Sequence, residues 1–220
     1  SALVFELSKC SLDHVRARML ANLQNVDAEL AQRVVDGMAL ALPARSVPAV
    51  EPIEMKPSPA LRIVGKYPET LKGRAVGILV TDGADNAVVK AVRKACEAEG
   101  ATVKIVAPKV GGVTLKSGKR LVADGQLAGS PSVIFDAVAL VMSEEGCAAL
   151  LGDRAALDFV GNAFAHLKAI GFTAEAQALL DRAGVQPDAG IVDLAQGAEA
   201  FLPPARTRQW DREPNVRMLA

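Results

Sequence analysis

The sequence predicts an α/β fold, a mostly parallel sheet covered by helices, preceded by a short helical segment and a proline-rich linker. Three observations predict it. From about residue 72 to 203, short apolar runs alternate with stretches of helical period, the pattern of strand-helix units whose right-handed crossovers build a parallel sheet. Half of the 220 residues are apolar but only 4% are aromatic, so the core must come from Ala, Val, Leu and Ile. A region between about residues 41 and 72 carries Pro43, Pro48, Pro52, Pro57, Pro59 and Pro68, a density that blocks helix interiors and central strands.

Taken in order, the first zone spans residues 1–40. Val15, Met19, Leu23, Val26, Leu30, Val34 and Met38 recur at spacings of three and four, an apolar stripe on helical geometry. Ser11 is a candidate first cap and Asn25 or Asp27 a second inside the stripe, so two short helices meeting near Asn25 are expected. Helices this small cannot bury the stripe alone, which makes Val15, Met19, Leu23, Leu30 and Val34 candidate interface residues. The second zone, 41–72, reads as an extended linker, and its Val47, Val50, Ile53 and Met55 suggest that it adheres to a surface.

The third zone, 73–203, is the α/β domain. Ala75 to Val80 is a strand ending in Thr81-Asp82-Gly83, followed by helical spacing of Ala84, Val88, Val92 and Ala95 and a stop at Gly100. Thr102 to Ala107 is a second strand. Turn signals at Ser117-Gly118 and Asp124-Gly125 predict a hairpin or a pair of short strands between Val113 and Leu127. Ala137 to Met142 is a buried strand, Glu145 to Leu150 and Asp153 to His166 are helical, Ala169 to Phe172 is a strand, Ala174 to Ala183 a helix, and Gly190 to Val192 a last strand. Five parallel strands result. Residues 204–220, with Pro203-Pro204 before them and Arg206, Arg208, Trp210 and Arg212 within, read as an irregular tail, in which Trp210 is a candidate docking anchor because Trp and Arg are typical interface hot spots.

Composition excludes several function classes. The 25 basic and 25 acidic residues cancel, which removes the footprint of a nucleic-acid binder or a polybasic membrane anchor. No run approaches the length of a membrane span. Two histidines, one tyrosine and three cysteines leave little for a metal site or a His-based triad. The cysteines, Cys10, Cys96 and Cys147, share no CxxC spacing, so a reducing, cytoplasmic location is expected.

The segments FELSKC and RARMLANLQNVDAELAQRVVDGM resemble the end of the catalytic region of haem catalases. GRAVGILVTDGADNAVVKAVRKACEAEGATVKIVAPKVGGV and KSGKRLVADGQLAGSPSVIFDAVALV resemble the C-terminal domain of large-subunit catalases of the hydroperoxidase II type. The resemblance implies a flavodoxin-like domain of the DJ-1/PfpI, class I glutamine amidotransferase-like kind, attached to a tetrameric haem enzyme that disproportionates hydrogen peroxide. It also implies partners, namely the rest of the subunit and its homotetramer. The family's haem-ligating Tyr follows an Arg by four residues; here Tyr67 follows Arg62 by five, in the linker, and neither His14 nor His166 lies in the family's distal motif. No cofactor is therefore expected in this chain, with haem confined to the parent.

The DJ-1-like resemblance also implies a nucleophile at a turn between strand and helix. The matching segment, LKAIGFTAEAQALL, has Thr173-Ala174 there, with Glu175 the local carboxylate, and a helix cap is the expected role. Cys147 is the candidate reactive thiol: a helix N-terminus lowers its pKa while Glu144 and Glu145 raise it. Cys96 is expected in the core. The loop Thr81 to Asn86 lacks the glycine density of a phosphate cradle, and Lys116 to Arg120 reads as a solvated turn. The leading expectation is a non-catalytic, oligomer-stabilising domain of a large-subunit catalase. The alternatives are a chaperone-like module for unfolded client proteins and a DJ-1-type thiol enzyme using Cys147.

Overall fold

The computed structural model describes residues 2–66 and 68–218 and divides into two compact units, Ser1–Arg62 and Ile63–Ala220.

The first unit holds three helices, α1 (Ala2–Ser8), α2 (Asp13–Leu23) and α3 (Ala28–Met38). Asp27 caps α3, its carboxylate accepting from the Leu30 N–H at 2.9 Å, as the sequence suggests. Ser11 does not cap α2; Leu12 stands at that position with no side-chain bond, and α1 is an addition that its seven residues were too few to announce by period. The expected stripe divides. Leu23 and Val34 are buried with Leu7, Leu20, Ala31 and Val35, and Leu30 packs against them, so these residues form the unit's own core. Val15 is half-buried and Met19 exposed. Beyond α3 the chain is pinned at Ser46, whose N–H donates to Ala21 O and whose hydroxyl donates to Asn22 Oδ1 at 2.6 Å. From Val47 it runs without helix or strand to a single 3-10 turn at Pro59–Leu61.

The second unit is built on a six-stranded, wholly parallel sheet in the order β5-β2-β1-β6-β7-β8. Its strands are β1 (Ala75–Val80), β2 (Thr102–Ala107), β5 (Gly125–Gln126), β6 (Ala137–Val141), β7 (Ile170–Phe172) and β8 (Ile191–Asp193); β3 (Val113–Thr114) and β4 (Arg120–Leu121) form a separate antiparallel hairpin. Burial on both faces explains why β1 and β6 are continuous apolar runs. Val76, Ile78 and Val80 of β1 join Ala139 and Val141 of β6 under α4 (Asn86–Ala98) and α8 (Ala198–Ala205), whose Val92, Cys96 and Phe201 complete that layer. Leu79, Val138 and Leu140 point the other way, onto α5 (Glu144–Leu150), α6 (Arg154–Ala165) and α7 (Gln177–Arg182). Gly77 leaves room for Phe135, whose ring atoms would lie 2.6–2.9 Å from an added Cβ.

Two expectations are corrected here. The sheet has a sixth strand, because Asp124 accepts from the Ile105 N–H at 2.7 Å and steers Gly125 and Gln126 alongside β2. The segment expected to be an irregular tail is folded onto the domain. α8 runs through Pro203 and Pro204, with Phe201, Leu202 and Ala205 buried; that burial offsets the amide donors which proline lacks. A 3-10 turn at Trp210–Arg212 and α9 (Glu213–Met218) follow. Three arginines hold this segment: Arg206 to Glu99 (2.7 Å), Arg208 to Asp136 (3.2 Å) and Arg212 to Asp188 (2.6 Å). Arg212 is buried, stacks 4.2 Å over Phe164 and donates to the Phe164 and Lys168 carbonyls. No helix among the described residues is long and apolar enough to cross a membrane.

Candidate functional site

In an open parallel sheet, ligands bind in the crevice beyond the carboxyl ends of the strands, where the strand order reverses. That point lies here between β1 and β6, which leave the sheet in opposite directions along its order. A cavity of about 560 Å³ opens there, lined by residues of the β1, β6, β7 and β8 loops, among them Asp85, Ser143, Glu144, Thr173 and Glu175, and by Lys116 of the β3-β4 turn.

The short polar side chains on these loops bond neighbouring loops or cap the helices that follow. Thr81 Oγ1 accepts from the Ser143 N–H at 3.2 Å. The Ser143 hydroxyl donates to Asp82 O at 2.7 Å and accepts from the Gly146 N–H at 3.0 Å, capping α5. Asp82 accepts from the Thr114 N–H at 2.7 Å, which ties the β3-β4 hairpin to the end of β1, and Gly83 donates back to Thr114 O at 2.8 Å. Gly83 has φ +78, a left-handed conformation that favours glycine, and an added Cβ would stand 2.9 Å from that of Ser143. Asp85 caps α4 through the Ala87 N–H at 2.7 Å. The loop expected to cap rather than cradle a phosphate does cap. Lys116 lies in a turn, as expected, but also reaches the cavity wall.

The strand-to-helix turn after β7 places Thr173 at the cavity, where the resemblance puts a nucleophile. Its geometry is relaxed. Thr173 has φ −88 and ψ 153, ordinary extended backbone, whereas a nucleophile elbow is a sharp, strained turn. Among the described residues, positive φ outside glycine occurs at Ala39 and Leu167, not at this turn. Thr173 Oγ1 accepts from the Met142 N–H at 3.3 Å, and its carbonyl accepts from Ala176 N–H. Among the described residues no hydrogen bond joins Thr173 to Glu175. The site therefore presents carboxylates and one ammonium around a cavity, with no nucleophile coupled to a base.

Cys147 lies one turn into α5, 2% exposed, packed with Leu150, Phe159 and Leu179. Burial raises its thiol pKa, and a hydrogen bond at the Leu179 backbone opposes the rise only in part. The flanking glutamates anticipated in the sequence are not what sets it. Cys96 is in the opposite core layer, where burial first, then the charges of Glu199, Glu97 and Glu99, push it to about 12. Cys10 is half-buried.

At the other end of the sheet Trp210 is 37% exposed and stands beside two smaller cavities, of about 290 and 380 Å³. Arg208 lines both, held by Asp136, whose carbonyl and carboxylate each accept from its guanidinium. Nearby, Lys168 is buried with its ammonium donating to Ser132 O at 2.6 Å. Sequence reasoning missed Lys168 altogether and placed Arg212 in an irregular tail, since a lone Lys and a tail Arg carry no local signal of burial. The interface candidates of the first unit, Val15 and Met19, line a groove of about 370 Å³ together with Leu3, Leu7 and Cys10.

Residues 72–206 match a family described as the C-terminal domain found in long catalases. The chain belongs to that family. Residues 1–38 match a second description, catalase-related immune-responsive. The chain is 44% identical over 226 residues to Catalase C of Rhizobium meliloti, covering 99% of this chain and 32% of that protein. It is 34% identical over 225 residues to Catalase HPII of Pseudomonas aeruginosa, covering 100% of this chain and 31% of that protein, and 30% identical over 223 residues to Catalase-B of Dictyostelium discoideum, covering 98% and 32%. The chain thus spans about a third of the length of each of these relatives.

Catalase kinship implies haem, and haem requires an axial ligand facing an apolar cavity wide enough for the macrocycle. The described residues do not fit it. His14 is exposed on α2, His166 is exposed with Nδ1 held 2.8 Å from Asn162 O, and Cys96 and Cys147 are enclosed in packed layers. Tyr67 lies outside the described residues.

Proposed function

We propose that this chain is the C-terminal portion of a large-subunit catalase and that its flavodoxin-like unit contributes structure rather than chemistry. In this reading the whole subunit disproportionates hydrogen peroxide in oxidative defence, at a haem held by residues outside the chain. The domain covers that core and stabilises the oligomer. The observation that carries the reading is Thr173: it stands at the turn where the resemblance places a nucleophile, in ordinary extended backbone, and its hydroxyl accepts from the Met142 N–H instead of capping the 3-10 turn that follows, the role that the sequence led one to expect. The chemistry around it supports the same conclusion, because the hydroxyls of Thr81 and Ser143 are bonded between loops and Cys147 is buried with a raised pKa.

The exposed apolar residues Phe5, Val47, Val50, Ile53 and Met55 are the observation a client-binding module would rest on. The relatives' length favours a covering surface within the same subunit, so client binding is the weaker reading. The test is direct. The isolated chain, titrated with haem and assayed for peroxide breakdown, is expected to show neither uptake nor turnover, whereas stoichiometric haem with catalase turnover would overturn the proposal. Deleting residues 72–206 from the long subunit is expected to leave haem binding in place and to lower the temperature at which the oligomer inactivates.

A further inference from the structure

A charge taken out of water is paired, fully hydrogen-bonded or both. Beneath the C-terminal segment, Arg208 with Asp136 and Arg212 with Asp188 follow that rule, and Lys168 does not. Its ammonium has three N–H donors, yet among the described residues one acceptor meets them, Ser132 O at 2.6 Å. Asp136, the carboxylate whose charge acts on Lys168, is already engaged: Oδ2 accepts from the Ala75 N–H at 3.0 Å, and Oδ1 and the carbonyl accept from Arg208. Arg208 also acts on Lys168 as a like charge, so two cations stand here against one carboxylate. Ser132 carries a second irregularity. The residue is completely buried, and its hydroxyl has no hydrogen-bond partner among the described residues, which is destabilising and rare in native proteins. Both groups left short are donors. A water between them would accept from each but would need acceptors for its own two hydrogens, and the oxygens of Asp136 and Ser132 O already receive N–H groups, the latter from Lys168 and from Phe135 at 3.1 Å. An anion needs donors alone and supplies the missing negative charge.

We infer that Lys168 Nζ and the Ser132 hydroxyl bind one monovalent anion of halide size, such as chloride. Both residues are enclosed, which rules out a phosphate or an organic carboxylate as the occupant. The bound anion joins the turn Ser132–Ile134 to the chain entering β7. It does so under the C-terminal segment, where the Gln209 N–H donates to the Leu167 carbonyl and Arg212 to that of Lys168. The site stands apart from the proposed catalase function, because its residues belong to the second unit and none of them lines the cavity at the carboxyl ends of the strands.

Urea unfolding of the 220-residue chain at pH 7 tests this, with chloride exchanged for gluconate, too large for the site, at constant ionic strength. An anion that binds the folded chain alone makes the unfolding constant fall about tenfold for each tenfold rise in chloride beyond half-saturation. Lys168→Met is expected to abolish that dependence. Ser132→Ala keeps the ammonium and should move half-saturation to at least about tenfold higher chloride, the factor supplied by one hydrogen bond to a charged group. Arg154→Gln, at an exposed ion pair on α6, should leave the dependence unchanged. If Lys168→Met fails to fold, Ser132→Ala decides. A crystal of the unaltered chain grown in bromide reads the site directly, with an anomalous peak expected between Lys168 Nζ and Ser132 Oγ. Equal unfolding constants in chloride and gluconate would overturn the site. So would a chloride dependence that either variant retains unchanged, or bromide density that leaves Lys168 without an ion.

Discussion

Lys168 offers a test in which one buried charge is read through pH. The residue is 3% exposed, follows Leu167 with its left-handed φ of 59, and donates from Nζ to Ser132 O at 2.6 Å. Its pKa is lowered from 10.5 to about 8, by burial first and then by the charge of Arg208, with the Asp136 carboxylate working against both. Between these two values the unfolded chain holds a proton that the folded chain has released, so stability rises with pH across that window. At about 1.4 kcal/mol per pH unit, the gain from Lys168 is about 3 kcal/mol. Lys168→Met keeps the length of the side chain and removes the charge; Ser132 O retains its bond from the Phe135 N–H at 3.1 Å. Urea unfolding of both proteins from pH 7 to 10.5, with one curve subtracted from the other, isolates this group. Subtraction is needed because Cys96, held near 12 in the folded state against 9.0 ordinarily, acts in the opposite direction above about pH 9. The wild-type chain is expected to gain about 3 kcal/mol on the variant over the interval. Parallel curves would refute the reasoning, since they would mean that Lys168 titrates as a solvated lysine.

Asp188→Ala leaves the guanidinium of Arg212 buried without its carboxylate, and is expected to cost about 3 kcal/mol by urea unfolding, the low end of the range for a broken buried pair because Asp188 keeps some contact with water. The pKa of Asp188 carries the same information: burial raises it, but the bonds from Arg212 and the Gly190 N–H outweigh burial and hold it below the ordinary carboxylate value. Its contribution is therefore present above the unfolded pKa and fades as pH falls through the folded one, so the variant should lose less stability than wild type on acidification. Gly146→Ala would drive a Cβ into Thr81, whose Oγ1 and Cβ lie against that position; a loss of about 1–3 kcal/mol is expected from overpacking, and an unchanged melting temperature would show that α5 shifts freely. An aromatic disulfide reagent should label Cys10 in the native chain and reach Cys96 and Cys147 only on unfolding; rapid native labelling of Cys147 would reopen the thiol-enzyme alternative.

Legibility followed the range of the interactions. β1, β2 and β6 were readable because they pack under helices on both faces and their runs are locally apolar, and Asp85 and Asp153 cap the helices that follow them through bonds two residues long. β5 was not readable, since two residues make a strand only because Asp124 reaches the β2 backbone 19 positions earlier. The C-terminal segment misled for the same reason. Pro203-Pro204 is a local signal against helix, while Arg206 to Glu99, separated by 107 positions, and the burial of Phe201 are not local at all. The stripe of the first unit was legible as a helical face but not as two faces: Leu23 of α2 and Val34 of α3 join Leu7 of α1 in one core, a choice made by three-dimensional packing and absent from the period.

At the candidate site the sequence located the turn, and the structure shows how its hydroxyls are engaged. A hydroxyl becomes a nucleophile when its proton is taken by a base and its backbone presents it to a substrate. Thr81, Ser143 and Thr173 are each engaged with the backbone: Thr81 and Thr173 accept an N–H from a neighbouring loop, 62 and 31 positions away, and Ser143 accepts from the Gly146 N–H of the helix it caps. Ser143 returns its own proton to Asp82 O. The ends of β1, β6 and β7 are thereby bonded to one another. The cavity lies where the parallel topology reverses its strand order. The same bonding joins the β1 loop to the β3-β4 hairpin through Asp82 and Thr114.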